Sequence, residues 1–165
     1  LVLSGPCLNA DRFAADQRVH LAAMPQSVRD AAAAAEATGD FDNPAYQTAV
    51  AAFYAKHVCR LDPWPACLAR AIEGMGLPCY LRMWGPSEFT LTGSLAGYDA
   101  TGELGKIAVP TLFTCGRFDE ATPETTADFA ARIPGARLVV IEDASHCHHL
   151  EQPAGYLETA RRFLG

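Results

Sequence analysis

The chain has 165 residues, a formal net charge of −6 at pH 7 and an apolar fraction of 50%, which is one domain's worth of ordinary globular composition. The acidic balance argues against a nucleic-acid partner, because phosphate binding needs a basic face, and no apolar run approaches the length of a bilayer span. The cysteines Cys7, Cys59, Cys67, Cys79, Cys115 and Cys147 form no CxxC pair and no compact framework, so they read as scattered buried thiols of an intracellular, cytoplasmic protein. The chain opens at Leu1 on an apolar run with no Met, so a preceding segment is expected.

Leu1-Val-Leu-Ser4, closed by Gly5-Pro6, predicts a short buried strand ending in a turn. Segments 12–23, 27–38, 44–58 and 65–74 are rich in Ala, Arg, Gln and Glu and predict helices. Pro25 opens the second, Thr38-Gly39-Asp40 ends it, and Asn43-Pro44 is a cap followed by proline at the first helical position. Asp62-Pro63-Trp64-Pro65 repeats that start signal. Tyr46, Val50, Phe53, Tyr54 and Val58 recur at helical spacing and predict a core-facing stripe. Ala31–Ala35 is helix-forming filler.

After residue 106 the texture changes. Thr111–Cys115 predicts a strand ending at Gly116, residues 123–133 a helix, Arg137–Glu142 a strand, Asp143–His149 a polar loop, and Pro153–Gly165 an amphipathic helix. This order predicts a parallel α/β sheet. The helical block between the first two strands is too long for one crossover. It reads as an inserted helical cap over residues 10–99, with the core in residues 1–9 and 100–165.

Ligand sites in an open parallel sheet lie at the carboxyl ends of the strands. Asp119 follows strand 111–115 and His146 follows strand 137–142, one right-handed β-α-β step apart. Both should therefore emerge on one edge. An Asp beside a His there suits the orienter and base of a nucleophilic triad, because the carboxylate fixes the imidazole tautomer and stabilises the imidazolium. The order Asp then His is that of α/β-hydrolases, where serine comes first. Taken singly, each residue would be a turn or surface group; taken as a pair, they favour catalysis. His146, Cys147, His148 and His149 bunch together, but adjacent ligands in one short loop cannot all face a tetrahedral metal, so no metal site and no cofactor is expected.

The nucleophile is not among these residues. Ser4, Ser27, Ser87, Ser94 and Ser145 are the serines, and none lies in Gly-x-Ser-x-Gly. No His-Gly-Gly stretch exists to form an oxyanion loop. The chain alone therefore lacks the two parts that carry most of acyl transfer.

Several segments together resemble the proline iminopeptidase family of α/β-hydrolases, which includes tricorn-interacting aminopeptidases and amino-acid amidases. They are Leu1–Pro6, Ala55–Pro65, Met83–Thr90 with Thr92-Gly93, Gly116–Pro123 and Glu142–His146, in the family's order. The resemblance implies the C-terminal part of an α/β-hydrolase, with strands six, seven and eight at residues 1–4, 111–115 and 137–142. It implies triad roles for Asp119 and His146, and a grip on the substrate's free α-amino group by Glu88 and Glu120. By themselves those glutamates would be turn or loop carboxylates. The activity implied is a serine aminopeptidase removing N-terminal proline or small apolar residues from a peptide or amino-acid amide. Alternatives are an amidase or esterase of the same fold, or a non-catalytic fragment that binds a partner chain. The family's N-terminal half, with nucleophile elbow and oxyanion loop, should precede Leu1. Without it the strand at 1–4 has a bare edge, and marginal stability or aggregation is expected.

Overall fold

The computed structural model describes residues 1–165. Three parallel strands form its sheet in the order β1 (Val2–Ser4), β2 (Leu112–Gly116) and β3 (Arg137–Ile141). Leu3 pairs with Phe113 and Phe113 with Leu138. The register aligns the carboxyl ends of all three strands. β2 is buried at every position, which is why it reads as a mostly apolar run, with Thr114 its one polar member, rather than an alternation.

Five helices lie in sequence between β1 and β2: α1 (Ala10–Ala22), α2 (Gln26–Thr38), α3 (Pro44–His57), α4 (Ala66–Glu73) and α5 (Leu77–Met83). Local signals set their ends. Asn9 caps α1 by accepting from the Arg12 amide at 2.7 Å, and Asn43 caps α3 at Ala45 with Pro44 following. Gly39 ends α2 with φ of 73°, a left-handed conformation that glycine adopts without a Cβ penalty. Past a 3-10 turn (Thr101–Lys106), α6 (Pro123–Ala130) joins β2 to β3, and α7 (His148–Glu151) and α8 (Pro153–Leu164) complete the chain.

Two apolar clusters hold these layers. Leu21, Met24, Val28, Tyr46, Phe53 and Phe89 pack among α1–α3, with Ala32 and Ala35 letting the backbones approach. Leu104, Phe113, Phe129 and Ile133 pack beneath the sheet. A smaller group, Phe13, Trp84 and Ala121, joins α1 to the loop after β2, the two rings meeting edge to face at 5.3 Å. Tyr46 and Phe53 are fully buried, as their helical spacing predicts, while Val50, Tyr54 and Val58 are half-buried.

Several expectations need correction. α1 begins two residues earlier than predicted because Asn9 supplies its cap. α6 stops at Ala130, not 133. α5 and α7 were not anticipated: Gly74 and Gly76 obscure the Pro78 start signal of α5, and α7 begins within the predicted polar loop 143–149 and ends before the helix predicted from Pro153. The cysteines are not uniformly buried. Cys59, Cys115 and Cys147 are buried, but Cys7, Cys67 and Cys79 are exposed, and all six are free thiols. Cys67 and Cys79 sit on α4 and α5, helices that bury no residue at all. No helix is long and apolar enough to cross a membrane.

Candidate active site

The loop leaving β2 folds back on itself through Asp119. Its Oδ2 accepts from the Gly116 amide at 3.0 Å and its Oδ1 from the Ala121 amide at 2.8 Å. The carboxylate is wholly buried, so these donors replace the water it gave up. Thr122 then caps α6, accepting from the Thr125 amide at 3.2 Å. Gly116 is required by a close crossing: a Cβ there would lie 2.3 Å from the Ser145 carbonyl oxygen.

His146, in the loop after β3, donates from Nδ1 to Asp119 Oδ1 at 2.9 Å. That bond commits Nδ1 and leaves Nε2 as the nitrogen for proton transfer. Burial alone would raise the Asp119 carboxyl. Hydrogen bonds from His146 and the Gly116 amide, with the His148 imidazole close by, outweigh it and hold the group at about 2. Burial alone would lower the His146 imidazole, but Asp119, with Glu120 and Glu88 behind it, raises it to about 9. Gly5, at the turn after β1, has φ of 55° and packs against this ring; a Cβ would come within 2.8 Å of His146 Cε1 and Nδ1. All three strand ends thus contribute to one spot.

Glu120 is buried beside the pair. One carboxylate oxygen lies 3.8 Å from His146 Nδ1 and the other has no hydrogen-bond partner in the chain. Burial and the charge of Glu88 push its carboxyl well above the ordinary carboxylate range. Glu88 is also raised by burial, partly offset by a 2.7 Å hydrogen bond from the Tyr80 hydroxyl. Its amide donates to the Tyr54 hydroxyl at 3.3 Å. A cavity of about 610 Å³ joins these groups, lined by Glu88, Glu120 and His146 on its polar side and by Phe13, Trp84 and Leu95 among others on its apolar side. Two carboxylates sharing one poorly solvated cavity are destabilised together, and a cation placed between them relieves both.

Of the four residues singled out in the sequence, Glu88, Glu120 and His146 line this cavity, and Asp119 lies buried behind it, bonded to His146. Of the rest of the His146–His149 bunch, His148 does other work, and no group of side chains is arranged to hold a metal. His148 is buried beneath the site, its Nδ1 donating to the Ser145 carbonyl at 3.3 Å and lying 3.6 Å from Asp119 Oδ2. Its Nε2 meets the hydroxyls of Ser4 and Thr114 at 2.9 and 3.0 Å. Sequence reasoning missed His148, Gly5 and Tyr80. Of these only Gly5 carried a local signal, at a turn directly after a strand.

Comparison with known proteins identifies the family and the fold. A family model described as alpha/beta hydrolase family matches residues 2–159. A proline iminopeptidase of Heyndrickxia coagulans is 37% identical over 99% of this chain and 57% of its own length. One from Saccharolobus solfataricus is 41% identical over 78% of this chain and 42% of its own. Among solved structures, VinJ superposes with a TM-score of 0.94 at 33% identity. A Mycobacterium smegmatis proline iminopeptidase gives 0.89 at 32%. Each of these structures is matched over 99% of this chain and 56% of its own length. The chain thus spans about half the length of the relatives it matches, corresponding to their C-terminal part.

Proposed function

Because the chain belongs to the alpha/beta hydrolase family, we propose that it supplies the base, the orienter and the amine-binding site of a serine aminopeptidase like the proline iminopeptidases it resembles. In this reading a serine nucleophile and its oxyanion donors come from outside the 165 residues, since no Gly-x-Ser-x-Gly occurs within them. The serine attacks the carbonyl of the substrate's first residue. His146 Nε2 takes the serine proton and returns it to the departing amine, while Asp119 holds the imidazole and stabilises its charged form. Residues 10–99 act as a cap over the substrate. Free thiols suit a reducing compartment, and the cytoplasm is the location this reading assigns.

The observation that carries the proposal is the placement of Glu88 and Glu120 on the same cavity as His146. An N-terminal residue offers an ammonium there; an internal residue offers a neutral amide that cannot relieve two buried acids. The substrate is therefore a peptide or amino-acid amide with a free N-terminus, and the likeness to proline iminopeptidases suggests proline or a small apolar residue first. The test uses the protein in its natural full length with paired substrates, free and N-acetylated. Glu120→Gln and Glu88→Gln should each cost about 30-fold or more in kcat/KM on the free amine. N-acetylated substrates cut as fast as free ones by the unaltered enzyme would sink the aminopeptidase reading in favour of an amidase or esterase.

A further inference from the structure

Three successive carbonyl oxygens of the loop carrying the Asp–His site are each taken by a side chain from the helices between β1 and β2. Phe118 O accepts from His57 Nδ1 at 2.9 Å, Asp119 O from His20 Nε2 at 3.1 Å, and Glu120 O from Gln17 Nε2 at 2.8 Å. His20 and Gln17 lie on α1 and His57 ends α3. His57 also works through its backbone: its carbonyl accepts from the His146 amide at 3.0 Å, and the next carbonyl, Val58, from the Cys147 amide at 2.8 Å. Carbonyls at a helix C-terminus have no partner within the helix, and here the loop bearing His146 satisfies them. His57 therefore grips the loop of Asp119 with its ring and the loop of His146 with its main chain.

We infer that His57, His20 and Gln17 are positioning residues, which fix the Asp119–His146 pair and Glu120 by donating to consecutive carbonyls of residues 118–120. The arrangement is selective for donors. Gln17 Oε1 and His57 Nε2 are buried with no partner, so each side chain leaves its accepting end unsatisfied in order to present its donating end. The rings of His20 and His57 stack at 4.0 Å between centroids, an approach that two imidazolium ions would oppose. Burial lowers both, with His57 reaching about 4, so each is a neutral imidazole with one N–H. In that state a single tautomer satisfies each carbonyl.

The inference rests on reading Asp119–His146 as the working pair, but its first readout needs no turnover. It is the titration of the His146 imidazole, followed by NMR of the full-length protein. Asp119, Glu120 and Glu88 are the charged groups facing that ring. His57→Phe keeps a stacked ring and removes the donor; His57→Asn keeps a donor at the place of Nδ1 and removes the ring. His57→Phe should move the His146 midpoint down from about 9 towards the ordinary histidine range, because Asp119 is no longer held against it; His57→Asn should leave the midpoint near its original value. His20→Phe and His20→Gln form the second pair. Gln17→Met, which preserves side-chain volume and helix propensity, keeps the test open should an aromatic replacement fail to fold. It should alter the response to Glu120 and leave the Asp119–His146 bond intact. If the full-length protein turns over substrate, the Phe variants should lose about tenfold or more in kcat with KM little changed. A folded His57→Phe protein with an unchanged His146 titration would overturn the inference. So would a His57→Asn protein as perturbed as His57→Phe, since packing of the ring would then be the whole effect. An inactive parent protein with the expected titrations would count against the proposed activity and not against the positioning.

Discussion

The loop leaving β2 and the helix α5 line the same cavity, yet α5, like α4 before it, is held in the opposite way from the loop. Asp119 and Glu120 are buried, and their carbonyls and the Asp119 carboxylate are all hydrogen-bonded. α4 and α5 bury no residue, and they expose Ile72, Leu77, Leu81 and Met83. Proton transfer tolerates little misplacement, so the groups that handle protons gain from being fixed by several redundant contacts. A wall that contacts a substrate side chain needs only to exclude water and can be held loosely. One cavity thus has a rigid floor and a lightly held wall.

The largest effect should come from breaking the rigid floor at its chemical centre. Asp119→Asn keeps the shape of the side chain but presents an amide to His146, which reverses the preferred tautomer. In the full-length protein, kcat should fall by roughly 10³–10⁴, and the melting temperature should fall too, because the buried amide NH2 must face either the Gly116 or the Ala121 amide. Steady-state kinetics on a free N-terminal substrate measures this, and a fall of less than tenfold would remove Asp119 from the role of orienter.

Next come the glycines at the strand ends. Gly116→Ala would drive a Cβ into the Ser145 and Ala144 carbonyls, at 2.3 and 2.4 Å. Both are backbone and cannot step aside, so the loss should reach about 3 kcal/mol in chemical denaturation. Gly5→Ala combines a positive φ with a 2.8 Å approach to His146. It should cost about 1–3 kcal/mol and displace the imidazole as well, so activity should fall more than stability. In contrast, Gly97→Ala, at a positive φ with open space around it, should cost stability alone.

How much of this contrast could be read in the sequence depended on distance along the chain. Asp119 and His146 were legible because each directly follows a predicted strand, and parallel topology brings strand ends to one edge. Glu88 and Glu120 were not legible from pattern: only family resemblance named them, since a carboxylate in a loop looks the same whether solvated or buried. His148, His57, His20 and Gln17 escaped because their partners lie far off in sequence. His148 Nε2, for example, reaches back 144 residues to Ser4, and no local period encodes that. The exposed faces of α4 and α5 escaped for a different reason. Their apolar residues resemble those of core helices, and only the fold shows that nothing in this chain covers them.

A sharper probe of the floor is electrostatic. The charges of Glu120 and Glu88 contribute to holding His146 at about 9, and the imidazole must be neutral to act as base. Replacing either glutamate by glutamine removes negative charge, so the imidazolium loses stabilisation and its midpoint falls. The acidic limb of the kcat/KM profile in the full-length enzyme should therefore move to lower pH in Glu120→Gln and in Glu88→Gln, although the maximum itself drops. Movement of that limb to higher pH would mean that the glutamates do not act on His146 through charge.

The smallest effect is expected on the exposed faces of α5, which forms the wall, and of α4 before it, and it is the one that tests the contrast from the other side. Ile72→Ser and Leu81→Ser each remove an apolar side chain that is 44% exposed, so little burial is lost and the stability change should stay within about 0.5 kcal/mol. The same class of change in the helices below behaves otherwise: Phe53, fully buried among α1–α3, should cost about 3–5 kcal/mol on replacement by Ala. Met83→Ala and Cys79→Ala, which touch the cavity directly, should alter KM for substrates differing in their first side chain while leaving kcat near its starting value. The contrast depends on α4 and α5 remaining uncovered in the natural protein. A loss of several kcal/mol on Ile72→Ser would mean that this face is buried against another segment or partner. The wall would then be as firmly built as the floor, and the difference between them would belong to this chain in isolation.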